Sequence, residues 1–409
     1  MHPETVLLVH NRYLERGGED AVFEAEGRLL ERFGHRVLRY ERDNREIASA
    51  GALGTALRAL WSHADHRAVG DLVRRERVAV AHFHNTFPLI SPAAHHAARG
   101  AGAAVVQTLH NFRLLCPNAQ FLRDARPCES CLGKAVPWPG VVHRCYRKSA
   151  AASSVVAGTI SLHRALRTWH TQVDAFVALS RFARDRFVAG GLPADRITVG
   201  GGWMEDDVAP PSGVPGDHLL YVGRLSEEKG VRVLLEGWRR FTGPQGLRII
   251  GDGPLGAEVE EAARRDAQIT WLGRRTRGEV LDAMRRAYAL VFPSICYENA
   301  PGVLAEARAA GLPVVASRLG SAAEIVTGSG SGVLFDAGDP AALARAVTDL
   351  LGDGARRASL SANARRSYEA ELTPERAYER LRAIHGLALA RRQATGQATR
   401  GIAAATEPE

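Results

Sequence analysis

Short apolar runs alternate with helix-patterned stretches along this chain, and the series starts twice. Residues 5–10 (Thr-Val-Leu-Leu-Val-His) have the nearly unbroken apolar character of a parallel strand buried on both faces. A loop with Gly17 and Gly18 follows, then a helical pattern over 19–33 and a second strand over 37–40. Further strands are expected at 78–84, 103–109, 175–179 and 196–199. A Pro- and Gly-rich connection, Ala209-Pro210-Pro211-Ser212-Gly213-Val214-Pro215-Gly216, then reads as a hinge. Beyond it the series restarts, with strands at 218–223, 247–250, 269–272, 289–292, 313–316 and 332–335. The matching helices fall near 230–240, 255–266, 278–286, 302–310 and 340–351. Alternation of this kind builds parallel sheets covered by helices on both faces, so the fold class is α/β with two doubly wound domains. The expected division is 1–205, 206–374, a charged helix over 375–394, and an Ala/Thr/Gly-rich tail, 395–409, expected to be disordered.

With 409 residues, each half has enough chain to bury a core of its own. No run of 18 apolar residues is present, which argues against a transmembrane helix. The start, Met1-His2-Pro3-Glu4, lacks the basic and apolar regions of a signal peptide, so a cytoplasmic protein is expected, at the inner membrane face if it binds membrane at all. The formal charge of +8 is uneven: residues 1–200 carry +9 and residues 201–409 carry −1, and thirteen of the fifteen histidines lie in the first half. An Arg-rich genome accounts for such a bias; so does a first domain that meets a phosphorylated acceptor or an anionic lipid surface. No interleaved basic and aromatic stripe points to nucleic acid. The first loop has no Gly-x-Gly-x-x-Gly, which disfavours a nicotinamide or flavin enzyme.

One stretch narrows the chemistry. Phe292-Pro293-Ser294-Ile295-Cys296-Tyr297-Glu298-Asn299-Ala300-Pro301-Gly302-Val303-Leu304-Ala305-Glu306 closes a strand, passes through a polar loop, and enters a helix with Pro301 suited to its first position. A helix start offers unpaired N–H groups and the positive end of a dipole, a natural seat for phosphate. Glu298 and Glu306 flank that seat, and carboxylates beside phosphate are better explained as acceptors for sugar hydroxyls. The implied ligand is a nucleotide-diphosphate sugar. A second loop, Gly223-Arg224-Leu225-Ser226-Glu227-Glu228-Lys229-Gly230, supplies two cations that would clamp a diphosphate and neutralise a departing one. Surface pairing with Glu227 or Glu228 is the plainer alternative. Only Lys134, Lys148 and Lys229 are lysines against 50 arginines, so a Lys in this loop invites an explanation.

Glu298 and Glu306 together form a Glu-x7-Glu pattern, and the chain resembles the family-4 retaining glycosyltransferases of GT-B fold. The segments Tyr221-Val222-Gly223-Arg224, Gly251-Asp252-Gly253-Pro254, Ala310-Gly311-Leu312-Pro313, Gly17-Gly18 and Val177-Ala178-Leu179-Ser180 with Arg181 carry the same resemblance, over about residues 5–390. It implies two Rossmann-like domains facing a deep cleft, with a C-terminal helix packing back toward the first. It also implies that Arg224 and Lys229 bind the donor diphosphate, that Glu306 accepts from the ribose, and that Glu298 accepts from the donor sugar. The backbone of Ala300, Pro301, Gly302, Val303 and Leu304 would hold the distal phosphate or sugar. Gly17 and Gly18 would let the first loop approach the donor closely. Gly251, Gly253 and Pro254 would shape the loop near the nucleotide.

His110, in Thr108-Leu109-His110-Asn111, would face the reacting centre, with a satisfied loop histidine as the alternative. His82 and His84 rank second, as acceptor-side or structural residues. The reaction implied is retaining transfer from a UDP-sugar, with GDP-mannose next, to a glycan, lipid-linked or natural-product acceptor. No Asp-x-Asp is placed to hold a divalent ion on the diphosphate, since Asp206-Asp207 sits before the hinge, so catalysis is expected to be metal-independent. A two-carboxylate hydrolase is the poorer reading, because Glu306 is committed to ribose. A nucleotide-sugar epimerase on the same fold and a non-catalytic sugar-nucleotide-binding protein remain as rivals. One departure stands out: Gly200-Gly201-Gly202-Trp203-Met204-Glu205 replaces an Asn-Gly common in relatives, in a loop expected to border the cleft.

Four of the five cysteines, Cys116, Cys128, Cys131 and Cys145, crowd into an insertion over 112–148. The Cys-x2-Cys spacing suits a metal knuckle, so a structural zinc site is one reading; free thiols and disulfides are the others. The insertion follows His110 directly and is expected to wall the acceptor side. Cys296 stands apart as a small packing residue.

Overall fold

The computed structural model describes residues 4–200, 202, 204, 208–209 and 216–405. The first domain contains β1 (Thr5–Arg12), α1 (Gly18–Arg32), β2 (Arg36–Asp43), α2 (Ile47–Leu60), α3 (His63–Glu76), β3 (Val80–Phe83), α4 (Ala93–Gly100) and β4 (Ala104–Leu109). It continues through the short β5 (Leu122–Arg123) and β6 (Arg126–Pro127), then α5 (Trp138–Val142), α6 (Ala150–Ala165), α7 (Thr168–Thr171), β7 (Ala175–Ala178), α8 (Arg181–Ala189) and β8 (Ile197–Val199). The second domain contains β9 (His218–Val222), α9 (Val231–Trp238), β10 (Gly246–Ile250), α10 (Gly256–Arg265), β11 (Ile269–Gly273), α11 (Arg277–Arg285), β12 (Ala289–Phe292) and α12 (Gly302–Ala309). It ends with β13 (Val314–Ser317), α13 (Gly320–Ser329), β14 (Gly332–Phe335), α14 (Pro340–Leu351) and α15 (Gly354–Glu371), after which α16 (Pro374–Ala405) closes the described chain.

Each domain is built on a six-stranded parallel sheet, ordered β2-β1-β3-β4-β7-β8 and β11-β10-β9-β12-β13-β14. Strands such as β3, β4, β7, β12 and β13 are buried along their whole length, as unbroken apolar runs require when helices cover both faces. Strand order reverses between β1 and β3 in one sheet and between β9 and β12 in the other. Ligands of such sheets sit beyond the carboxyl ends of strands at that reversal. The site can therefore be sought after β1, β3, β9 and β12.

Two features bring those ends together. In one, Glu324 on α13 accepts hydrogen bonds from the Arg181 and Phe182 N–H groups (2.9 and 2.7 Å), so a carboxylate from one domain caps a helix of the other. The other is α16, whose Leu381, Ile384 and Ala388 pack among Val6, Leu8, Val106 and Val177 of the first sheet. Burying a Leu or Ile side chain contributes about 1.5–3 kcal/mol, so this return of the chain ties the lobes firmly. Thr373-Pro374 opens α16 with a hydroxyl cap and a Pro at its first position.

The last helix departs from expectation. It runs past 394 to Ala405 rather than giving way to a disordered tail at 395, and residues 406–409 lie outside the described chain. Ala, Gln and Arg favour a helix that is already nucleated, and the Thr395 hydroxyl adds a bond to the Arg391 carbonyl. Most of the expected hinge, residues 210–215, and Gly201, Trp203, Glu205, Asp206 and Asp207 also lie outside the described residues.

Candidate functional site

The strand reversal of the second sheet is bracketed by the loops after β9 and β12, and these loops touch. Gly230 has a φ of 72°, and a Cβ there would stand 1.9 Å from the Pro293 carbonyl oxygen. Only glycine permits that approach. Its effect is to bring Lys229 to Glu298, Nζ to Oε1 2.6 Å, with the Ser294 hydroxyl 3.0 Å from the same carboxylate oxygen. Burial acts to lower the Lys229 pKa, but the Glu298 carboxylate more than offsets it and the net shift is upward, so the ammonium persists. The loop after β10 joins the same cluster. Leu225 N–H donates to Asp252 O, and Gly253, at φ 155°, would place a Cβ 2.6 Å from Leu225 O.

Pro301 serves as the N-cap of α12, one position earlier than the sequence suggests, and makes no side-chain cap bond. Ala300, Pro301, Gly302, Val303 and Leu304 thus lead from Glu298 into an uncapped helix start, and a Cβ on Gly302 would meet no atom within 4 Å. Glu306 lies further along α12, where burial pushes its carboxyl up to about 6, opposed by Arg277, whose Nε lies 3.9 Å away. Met204 and Gly202, from the expected cleft-bordering loop, pack toward Ala305 of the same helix.

Arg224 is exposed and lies 3.8 Å from Glu15, in the loop after β1 of the other domain. It thus faces across the cleft rather than pairing with Glu227 or Glu228. Gly17 is the N-cap of α1, and a Cβ on Gly18 would meet no atom within 4 Å, so packing within the chain does not demand glycine there. Beside them, the Asn111 amide donates to Glu19 (2.6 Å), which also accepts from the Tyr13 hydroxyl (2.9 Å). Burial raises the Glu19 pKa.

His110 follows β4. The preceding residue, Leu109, accepts from the Asn299 amide of the second domain through its carbonyl (3.0 Å). His110 and Glu298 are therefore each adjacent to an end of one interdomain hydrogen bond. Burial and the neighbouring histidines His84 and His10 hold the His110 pKa well below its usual value, so its ring is neutral at pH 7. Of the two roles open to His82 and His84, burial favours the structural one: His82 lies against Thr108 and Glu26, and His84 against His110. Residues 78–84 read as a strand that ends in the cleft, but α1 and α16 cover that end, and sequence alone does not reveal this. Asn299 and Glu19 also escaped sequence reasoning, because neither belongs to a spaced motif.

The insertion touches the second domain where Phe121 meets Tyr297. Phe121 and Phe182 both pack edge-on to Tyr297, and the Arg113 guanidinium lies 4.9 Å from each of the Phe87 and Tyr146 ring centres. All five cysteines are free thiols. Burial raises the Cys131 thiol to about 11, with further upward pushes from Cys116, Cys145 and Cys128, so the four cluster sites are neighbours. Among the described residues, the set of three or more ligand atoms all within 4.8 Å of one another is Glu26, His82 and His385; the thiols are spaced more loosely. Cys296 is buried beside Ser294, as a packing residue should be.

Two Rossmann-like domains whose strand reversals face one cleft define a GT-B protein. Over residues 216–353, which span most of the second domain, the chain matches the family described as Glycosyl transferases group 1. A phosphatidyl-myo-inositol mannosyltransferase of Mycobacterium leprae is 35% identical over 195 residues, covering 46% of this chain and 52% of that protein. The chain thus spans about half the length of that curated relative. Among solved structures, Anabaena Alr3699/HepE in complex with UDP matches with a TM-score of 0.65 at 15% identity, over 93% of this chain and 98% of that one. The Anabaena protein has also been solved with UDP-glucose. Sucrose-phosphate synthase from Thermosynechococcus elongatus matches with a TM-score of 0.65 at 17% identity, over 98% of this chain and 100% of that one.

Proposed function

We propose that this protein is a retaining glycosyltransferase that moves a sugar from a nucleotide-diphosphate sugar to a glycan, lipid-linked or natural-product acceptor. The observation that carries the reading is the Lys229–Glu298 pair, set at the strand reversal directly before the uncapped start of α12. Diphosphate would take Lys229, Arg224 and the α12 amides, and the sugar hydroxyls would take Glu298. The ribose would take Glu306. Lys229 and Arg224 would neutralise charge growing on the departing diphosphate, which is why the reaction is proposed to need no divalent ion. His110, neutral, would bond a donor-sugar hydroxyl from the opposite wall.

A UDP-sugar is the favoured donor, in line with the UDP and UDP-glucose complexes of the Anabaena protein; GDP-mannose comes next, in line with the mannosyltransferase relative. Purified protein incubated with UDP- and GDP-sugars, with and without acceptors, tests this. Acceptor-dependent release of free nucleotide is expected. Isomerised donor without acceptor would instead identify an epimerase, and binding without turnover a sugar-nucleotide-binding protein.

Two further parts belong to this reading. The insertion's four cysteines are proposed to hold a structural zinc ion. The first domain is proposed to touch an anionic membrane surface through α2 and α5, which both pack on α6. They expose Leu53 and Leu57, and Trp138 and Val142, near the basic Lys134, Arg144, Arg147 and Lys148. No helix among the described residues is long and apolar enough to cross a membrane.

A further inference from the structure

A file of buried polar groups runs from the core of the first domain to the cleft. Glu26, on α1, is 5% exposed, and His84, after β3, is 3% exposed. Glu26 Oε1 lies 3.4 Å from His84 Nε2, and His84 Nδ1 lies 2.9 Å from His110 Nε2. The His84 and His110 rings are nearly parallel, with an interplanar angle of 24°. From the far side, His82 Nδ1 lies 2.6 Å from the same Glu26 oxygen, His82 Nε2 lies 2.7 Å from the Thr108 hydroxyl, and His385 on α16 lies 3.3 Å from His82.

We infer that Glu26 and His84 are positioning residues that hold His110 in a single tautomer, with its proton on Nε2 and Nδ1 left as an acceptor for a substrate hydroxyl. The reasoning is a matter of donors and acceptors. The 3.4 Å approach of Glu26 Oε1 to His84 Nε2 is a close contact in which neither buried atom has a hydrogen-bond partner, and because a carboxylate only accepts, its field favours the proton on the His84 nitrogen that faces it. Neutral His84 then presents Nδ1 as an acceptor, and the His110 nitrogen that meets it must be the N–H. The choice made at Glu26 is thereby passed through one ring to the next. Glu26 stays ionised: burial acts to raise its pKa, but His82 and His84 more than offset this and hold it well below the usual carboxylate range. His84 and His110 are both held below the usual histidine range by burial, which keeps the two rings neutral and the tautomer argument valid at pH 7.

Other titratable groups face the file from every packed element. Glu19 and Asp20 come from α1 and His10 from β1, where His10 is 2.8 Å from Asp20. His82 comes from β3 and His385 from α16. None of these others contacts His110 between His84 and the cleft in the hydrogen bonds described.

The kinetic arm of the test rests on the sugar-transfer reading, whereas a spectroscopic arm does not. Histidine 15N chemical shifts of the whole protein, with His110 assigned by its loss in His110→Ala, are expected to show a pure Nε2–H form. In Glu26→Gln they should show a mixture of tautomers. An unchanged pure form in folded Glu26→Gln, or an Nδ1–H form in the wild type, would overturn the inference whatever the protein catalyses. Kinetically, Glu26→Gln should lower kcat by about tenfold or more while donor KM moves less than about threefold. Removing the carboxylate that favours protonation should also shift the acid limb of kcat to lower pH. His84→Asn, whose amide oxygen can replace Nδ1 as acceptor, should retain clearly more kcat than His84→Ala. Equal losses in the two, with matched melting temperatures, would count against the relay.

Discussion

Glu298 and Lys229 neutralise each other across 2.6 Å in a site that, on the proposed reading, must give both of them to substrate. Each is partly buried, at 14% and 30% side-chain exposure, so neither is simply left to water. A diphosphate arriving at Lys229 would release Glu298 for a sugar hydroxyl, coupling the two halves of donor recognition. Lys229→Ala should therefore lower kcat/KM for the donor by roughly 10²–10³-fold, the scale of losing one charged group at a developing anion. Steady-state kinetics on a variant with unchanged circular dichroism checks this, and near-normal turnover would remove the proposed diphosphate site.

Glu306 gives a pH dependence with a definite sign. Its carboxyl is raised to about 6 and is the proposed acceptor for ribose hydroxyls only when ionised. Donor affinity should accordingly fall as pH drops through 6, about tenfold weaker at pH 5 than at pH 7 from the ionised fraction alone. Titration calorimetry with UDP-glucose suits the measurement, because its doubly esterified diphosphate does not itself titrate there. Glu306→Gln should be weak at both pH values and nearly flat between them.

Gly230 carries a stability prediction independent of substrate. A Cβ would meet the Pro293 carbonyl at 1.9 Å on a backbone already at φ 72°. Gly230→Ala should cost about 3 kcal/mol or more, measured by urea unfolding, because backbone must move on both loops. Because Lys229 is the adjacent residue, donor affinity should fall with it, whereas Gly18→Ala, which meets nothing, should leave stability unchanged.

Much of the fold was legible because its signal is periodic. Twelve strands fell within a few residues of their expected places, since a strand buried on both faces reads as an apolar run. Within the site, Lys229, Glu298 and Glu306 were legible because loops at strand ends carry chemistry that apolar periodicity cannot explain. The burial of His82 was not legible: a histidine at a strand end looks the same whether solvent or α16, some 300 residues later, lies over it. Glu26 was hidden for a related reason. It sits on a helix face with no spacing relation to His84, and only the packing of α1 on the sheet brings them together.

On the proposed membrane reading, the first domain's exposed apolar side chains predict where it would meet lipid. Binding to vesicles containing anionic phospholipid should be measurable by flotation, and should weaken as salt is raised, since each basic residue near such a surface contributes about 1 kcal/mol. Replacing Trp138 and Val142 with Ser should reduce binding without altering turnover of a water-soluble acceptor. Equal flotation of that variant would place the contact elsewhere.

The cysteine cluster makes the last prediction. The hairpin of β5 and β6 ends directly before Cys128, and Cys131 follows three residues later, so a tight turn presents two thiols from one knuckle. Cys116 and Cys145 approach from either side of the insertion, and both influence the Cys131 thiol. The backbone between and just after them is poor in regular structure: Ala119, Phe121, Asp124, Ala125, Arg144, Arg147 and Lys148 all take left-handed conformations that non-glycine residues rarely adopt. A segment of this kind needs an internal staple, and thiolates of this number and spacing suit tetrahedral zinc with bonds of about 2.3 Å. Protein purified without chelators should contain about one zinc per chain by elemental analysis, and Cys128→Ser with Cys131→Ser should lose both the metal and several degrees of melting temperature. Metal-free protein that keeps its melting temperature when all four cysteines are replaced by serine would show that the thiols are packed without a metal, leaving Phe121 and Phe112 to hold the insertion through their contact at 4.8 Å.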